Sequence, residues 1–225
     1  MEMLVFGEAG APILAFPPAR GRFFDWEDHG LIAALARQIA SGWNQIWCLD
    51  GMDECSFFSA YLHPRDRLQN HQRWEEHLVQ EVLARVRQQN PDTYVMTAGC
   101  GFGAYHAANF AMRHPGLIRR CIAMGGELNI RNFFDGVDDA LLYFHNPEEY
   151  MANMHDEMLL KLFREKLDIV LAVPRNGPSE LLESNRRMAA ILAGKRIPHS
   201  LDYWESPGDD WALWRAQLVT YVGRL

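Results

Sequence analysis

Short, nearly uninterrupted apolar runs punctuate this chain, and segments of helical periodicity separate most of them. The runs cover residues 3–6, 12–16, 45–50, 93–99 and 168–174, and further strands are predicted over 117–126 and 199–205. A strand with one wet face alternates apolar and polar residues. A run apolar at every position is buried on both faces, as in a parallel sheet covered by helices. The helical segments suit that role. Leu31, Ile32, Leu35 and Ile39 recur at helical spacing before Gly42. Leu68, Leu78, Val79, Val82, Leu83 and Val86 form the apolar stripe of a long helix predicted over 65–89. Further helices are predicted over 101–113, 178–193 and 210–225. This alternation predicts an α/β fold with a mostly parallel, doubly wound sheet and helices on both faces. The first two runs are expected to be neighbouring strands. Residues 127–166 depart from the alternation and read as a small insert, with short helices near 138–143 and 156–166, placed to form a cap or pocket wall.

No linker, repeat or low-complexity segment divides the 225 residues, so one domain spanning 1–225 is expected. The net charge of −7 and the absence of a Lys/Arg-rich run argue against a nucleic-acid partner. No apolar stretch approaches the roughly 20 residues of a membrane span, and the acidic, glycine-broken start lacks the basic region of a secretory signal. Cys48, Cys55, Cys100 and Cys121 lack metal-binding spacing, and three of them fall in apolar segments. Reduced, buried thiols in a cytoplasmic protein are expected, with no cofactor and no metal.

Residues 97–106, TAGCGFGAYH, join a predicted strand to a predicted helix. The spacing matches the G-x-S-x-G elbow, in which a nucleophilic serine sits on a strained turn and small neighbours let helix and strand pass closely. Gly99, Gly103 and Ala104 supply the small neighbours. Gly101 stands at the nucleophile position.

Together with its flanks, the segment TAGCGFGAYHAANFAMRHPGLIRRCIAMGG resembles the nucleophile segment of bacterial α/β-hydrolase-fold esterases related to esterase D. ESNRRMAAILAGKRIPHSLDYW followed by PGDDWALWR resembles the carboxy-terminal segment of that group, and FPPARGRFFDWEDHGLI and the loop after Asp50 are also similar. The resemblance implies an α/β-hydrolase fold. It also implies a Ser-Asp-His triad whose three positions are occupied here by Gly101, Ser179 (with Glu180 beside it) and Asp209.

Acyl transfer on this fold requires a nucleophilic oxygen, a base and a carboxylate that orients the base. Glycine supplies no nucleophile, Asp209 is a weak and anionic base, and Ser179 cannot replace a buried carboxylate. The expected reading is a pseudo-hydrolase that binds a small ligand or a protein partner, with homo-oligomerisation as a further possibility. The alternative is an active esterase with a rearranged, non-serine site built on Glu180, Asp209 or a water. An oxyanion-like pocket is expected from the Phe102 N–H at the head of the elbow helix and a second donor among residues 18–22, with Arg20 and Arg22 nearby. Cys100 is expected to point away from the site, and His106 to pack or make a polar contact. Asp209 and Asp210 are expected to act as a helix cap pair rather than as metal ligands. Phe23, Phe24, Trp26, Phe57, Phe58 and Tyr61 are divided between packing and pocket lining. Met151, Met154 and Met158 fit a cap surface or core.

Overall fold

A computed structural model describes residues 1–134, 136–137, 139–206, 208 and 210–223. Seven strands form one sheet: β1 (Met3–Phe6), β2 (Ala11–Phe16), β3 (Asn44–Leu49), β4 (Met96–Cys100), β5 (Arg120–Met124), β6 (Asp168–Pro174) and β7 (His199–Trp204). Their spatial order is β1-β3-β2-β4-β5-β6-β7. All neighbours are parallel except β1, which runs antiparallel to β3. The first two strands are therefore not neighbours, because β3 lies between them. Four residues separate β1 from β2, too few for a crossover between parallel neighbours, so β1 turns back as the antiparallel edge.

Strands β2 to β5 are buried along their whole length, as uninterrupted apolar runs require. Alternate residues feed opposite layers. Leu14, Phe16, Trp47 and Leu49 point to one face, which is covered by α4 (Pro64–His77), α5 (Leu83–Gln89), α6 (Phe102–Arg113) and α10 (Ser179–Gly194). Ile13, Ala15, Ile46 and Cys48 point to the other, beneath α1 (Asp25–Asp28), α2 (Leu31–Ala34), α3 (Ala36–Ala40) and α11 (Asp210–Val222). The helix predicted around residues 31–42 is thus two short pieces, α2 and α3, and α1 precedes them in a stretch read as loop, across Gly30 with φ +78°. The long helix predicted over 65–89 carries a π-helical stretch, Leu78–Val82, between α4 and α5. The insert holds α7 (Ala140–His145), α8 (Pro147–Ala152) and α9 (Glu157–Lys166). A third apolar cluster, including Phe57, Leu68, Tyr105, Ile130, Phe134 and Leu142, fastens the insert over α4 and α6.

From β2 the chain winds outward to β3 and then returns on the opposite side to β4. The carboxyl ends of β2 and β4 therefore flank the switch point of the sheet, where doubly wound folds open a crevice. Gly101 follows β4 directly. No helix among the described residues is long and apolar enough to cross a membrane.

Candidate functional site

The elbow is built by exclusion of side chains. A Cβ on Gly99 would lie 2.0 Å from the Gly103 carbonyl oxygen, and one on Gly103 would lie 2.2 Å from the Pro17 oxygen. Only glycine lets β4, α6 and the end of β2 approach this closely. Gly101 itself has φ 55° and ψ −127°, a conformation that residues with side chains rarely adopt. Its N–H donates to the Met124 carbonyl at 2.9 Å, and its own carbonyl accepts from Ala104 N–H at 3.0 Å. The backbone thus takes the nucleophile's turn while carrying no nucleophile.

Space beside Gly101 is occupied by an aromatic side chain that the sequence had not singled out. A Cβ built there would lie 3.6 Å from Cη2 and Cζ2 of Trp214 and 3.5 Å from Pro18 Cβ. The Trp214 Nε1 reaches within 3.3 Å of the equivalent point on Gly125. Trp214 comes from α11, is buried, and packs edge-on against Trp211, which stacks on His29 at 3.9 Å.

Phe102 opens α6 as expected, and its ring packs among Phe57, Phe58 and Phe133. Three amides of the loop after β2 are committed elsewhere. Arg20 N–H donates to Asp53 Oδ2, Gly21 N–H to the Pro18 carbonyl and Arg22 N–H to Asp25 Oδ2, each at 2.9 Å. Pro17 and Pro18 have no N–H to give. The guanidinium groups are also engaged: Arg20 Nε lies 3.4 Å from Glu54, and Arg22 Nε lies 2.7 Å from Asp50. Asp53, missed in the sequence, is buried and bonds through Oδ1 to His106 Nε2 at 2.9 Å. It pins the loops after β2 and β3 to the elbow helix. Its mark in the sequence is an acid in a loop of glycine and small residues, a weak signal.

Cys100 is buried in the layer beneath α1 and α11. Among the loop aromatics, Trp26 and Phe57 are core residues while Tyr61 is fully exposed. Met151 is core and Met158 is exposed. Asp209 lies outside the described residues.

Ser179 and Glu180 open α10 on the surface, where the Ser179 hydroxyl donates to Glu180 Oε2 at 2.9 Å. A hydrogen bond to its own backbone and this hydroxyl hold the Glu180 carboxyl below its ordinary range. Both residues line a cleft of about 370 Å³ together with Glu127, Glu183, Arg131 and Arg187. Arg131 pairs with Glu149, and Arg187 Nε bonds Glu148 at 2.8 Å. Glu127 forms no salt bridge among the described residues, and the charge of Arg187 only partly offsets its surroundings. Partial burial, followed by the charges of Glu180 and Glu148, raises its pKa. A carboxyl shifted upward in a cleft at the carboxyl edge of the sheet marks a functional candidate, and the sequence reading had passed over it.

No family model matches the chain, and no curated protein matches it in sequence. Solved structures do match. An S-formylglutathione hydrolase from Agrobacterium tumefaciens aligns with a TM-score of 0.70, over 96% of this chain and 83% of its own, at 12% identity. A ferulic acid esterase aligns at 0.67, over 96% and 86%, at 15% identity. Mycobacterium tuberculosis MPT51 (FbpC1) aligns at 0.63, over 97% and 90%, at 18% identity. The protein has an α/β-hydrolase fold. Among structures of that fold, those it resembles include esterases.

Proposed function

We propose that this protein is a catalytically degenerate relative of serine esterases, and that it binds a small polar ligand at the carboxyl edge of its sheet. One observation carries the reading: Gly101 keeps the nucleophile's backbone turn, bears no side chain, and has the Trp214 indole packed beside it. The engaged amides of Arg20, Gly21 and Arg22 support it, since an acyl intermediate would find no second oxyanion donor among them. The ligand site is the cleft beside Ser179. Its arginines pair with Glu148, Glu149 and Glu183, which leaves Glu127 and Glu180 to favour a ligand bearing a positive centre. A protein partner or a second copy of the chain is the competing occupant.

The raised pKa of Glu127 beside Glu180 favours a second reading, in which two carboxyls of divergent pKa serve as acid and base for a water nucleophile. Turnover of short p-nitrophenyl esters separates the two. The proposal expects background rates in the wild type and in Glu127→Gln alike, together with thermal stabilisation of the wild type, but not of Glu127→Gln, by small cationic metabolites such as amino acids and polyamines. Enzymatic turnover that Glu127→Gln abolishes would establish the second reading instead.

A further inference from the structure

A second group of chemically competent side chains lies away from the elbow and the cleft, beneath the insert. His71 and Glu75 are four residues apart on α4 and so share one face of the helix. His145 ends α7 and meets them from the insert. One ligand atom from each of the three lies within 4.8 Å of the others, and all three residues are at least 96% buried.

The hydrogen bonding of this group is incomplete in a way that points to a cation. Neither ring nitrogen of His71 makes a hydrogen bond, nor does Glu75 Oε2, nor His145 Nε2. Buried polar atoms are ordinarily paired, and leaving one unpaired costs about 1–3 kcal/mol. Glu75 Oε1, by contrast, is fully committed, accepting from Arg113 Nε at 2.7 Å and bonding His114 Nε2 at 2.8 Å. The carboxylate is therefore held from behind while its other oxygen faces the histidines.

Asn109 orients the opposite side. Its Oδ1 accepts from the Tyr150 hydroxyl at 3.2 Å, which turns its Nδ2 toward His145 Nδ1 at 3.4 Å. That nitrogen then presents a lone pair, and it stands 3.5 Å from Glu75 Oε2. The Asn109 N–H is the present partner of that lone pair, and an ion bound beside Glu75 Oε2 would take its place. His106 lies alongside, its ring 5.3 Å from that of His71, with Nε2 tied to Asp53 and Nδ1 unpartnered.

We infer that His71, Glu75 and His145 form a binding site for a divalent transition-metal ion, with zinc the best chemical match, that ties the insert to α4. Two imidazoles and one carboxylate are a borderline nitrogen/oxygen set suited to zinc and poorly suited to magnesium or calcium. Tetrahedral zinc places its donors about 3.3 Å apart, so donor atoms that lie within 4.8 Å of one another close by about 1.5 Å at most around the ion. Burial makes the role structural: the ion joins an element before the elbow to one after β5, and enters as the chain folds.

The test uses the untagged chain, unfolded and refolded in chelator and then again with Zn²⁺ or Co²⁺, followed by dialysis and elemental analysis. About one ion per chain is expected, with a higher unfolding temperature than the metal-free protein and Co²⁺ ligand-field bands unlike those of the hydrated ion. The double variant His71→Gln/His145→Asn is expected to lose at least tenfold in affinity and to unfold at the same temperature with or without metal. Retention of metal by that variant would place the ion on surface histidines and overturn the assignment. Substoichiometric metal in the wild type, with no change in unfolding temperature, would overturn it equally, and this outcome is readable even if the variant does not fold.

Discussion

Replacing Gly99 and Gly101 separately by alanine isolates the two reasons for which glycine occurs in this elbow. At Gly99 the obstacle is space. The new methyl would lie 2.0 Å from the Gly103 oxygen, 2.3 Å from its carbonyl carbon and 2.8 Å from the Ala104 nitrogen, all backbone atoms. Relief requires α6 to move away from β4, and overpacking of this kind costs about 3 kcal/mol or more. At Gly101 the space is adequate, since the nearest atoms lie at 3.5–3.6 Å. The penalty there is conformational, about 1–3 kcal/mol for a side-chain residue at φ 55°, ψ −127°. Contact of the methyl with Trp214 and Pro18 offsets it by less than about 1 kcal/mol, and the reduced freedom of the unfolded chain by about 0.4–1. The net lies between a gain of about 1 and a loss of about 2.6 kcal/mol. With a urea m-value of about 2–3 kcal/mol/M, Gly101→Ala shifts the midpoint by about 1 M at most and Gly99→Ala lowers it by more than about 1 M. Urea unfolding followed by both far-ultraviolet circular dichroism and tryptophan fluorescence measures both. Equal losses at the two positions would refute the assignment of room for a methyl between Gly101, Trp214 and Pro18. A gain of more than about 1 kcal/mol from Gly101→Ala would refute the strained turn.

Two further measurements probe the interior. In metal-free protein, burial is the largest influence holding the His145 imidazole down, to about 4 against the ordinary 6.5; Glu75 opposes it, and Arg113, His106 and His114 reinforce it. The folded pKa is the lower one, so the unfolded chain binds the proton more tightly. The stability contribution is complete above pH 6.5 and is lost as pH falls toward 4, by about 3 kcal/mol in total; unfolding midpoints measured across that window check it, and a flat profile contradicts it. Thiol labelling under native conditions is expected to modify Cys55, which is exposed, while Cys48, Cys100 and Cys121, whose pKa values burial raises, react only after unfolding; mass spectrometry of the labelled protein reads the count.

The alternation of apolar runs and helical segments was legible because burial on both faces leaves an unbroken signature, and β6 spans the same residues in sequence and structure. The place of β1 was not legible, because adjacency in sequence says nothing about which strand intervenes in space. The π-helical stretch after α4 escaped for a similar reason: an extra residue in a turn leaves the apolar stripe nearly intact. In the candidate site, the elbow could be read from small residues at fixed spacing. Trp214 could not, since it reaches Gly101 from more than a hundred positions away. The spacing of His71 and Glu75 was visible on the helix, but it reads as part of a polar face until His145 arrives from the insert. The commitment of the Arg20 and Arg22 amides is a tertiary fact, fixed by Asp53 and Asp25.

The glycine at position 101 also bears on how such a chain evolves. An esterase must keep a residue with a side chain in a conformation that opposes folding, and its stability and its activity therefore compete. A chain with glycine at the elbow is released from that competition. On the proposed reading, selection acting on fold alone maintains Gly99, Gly103 and the packing of α6, while the loops at the carboxyl edge are free to diverge.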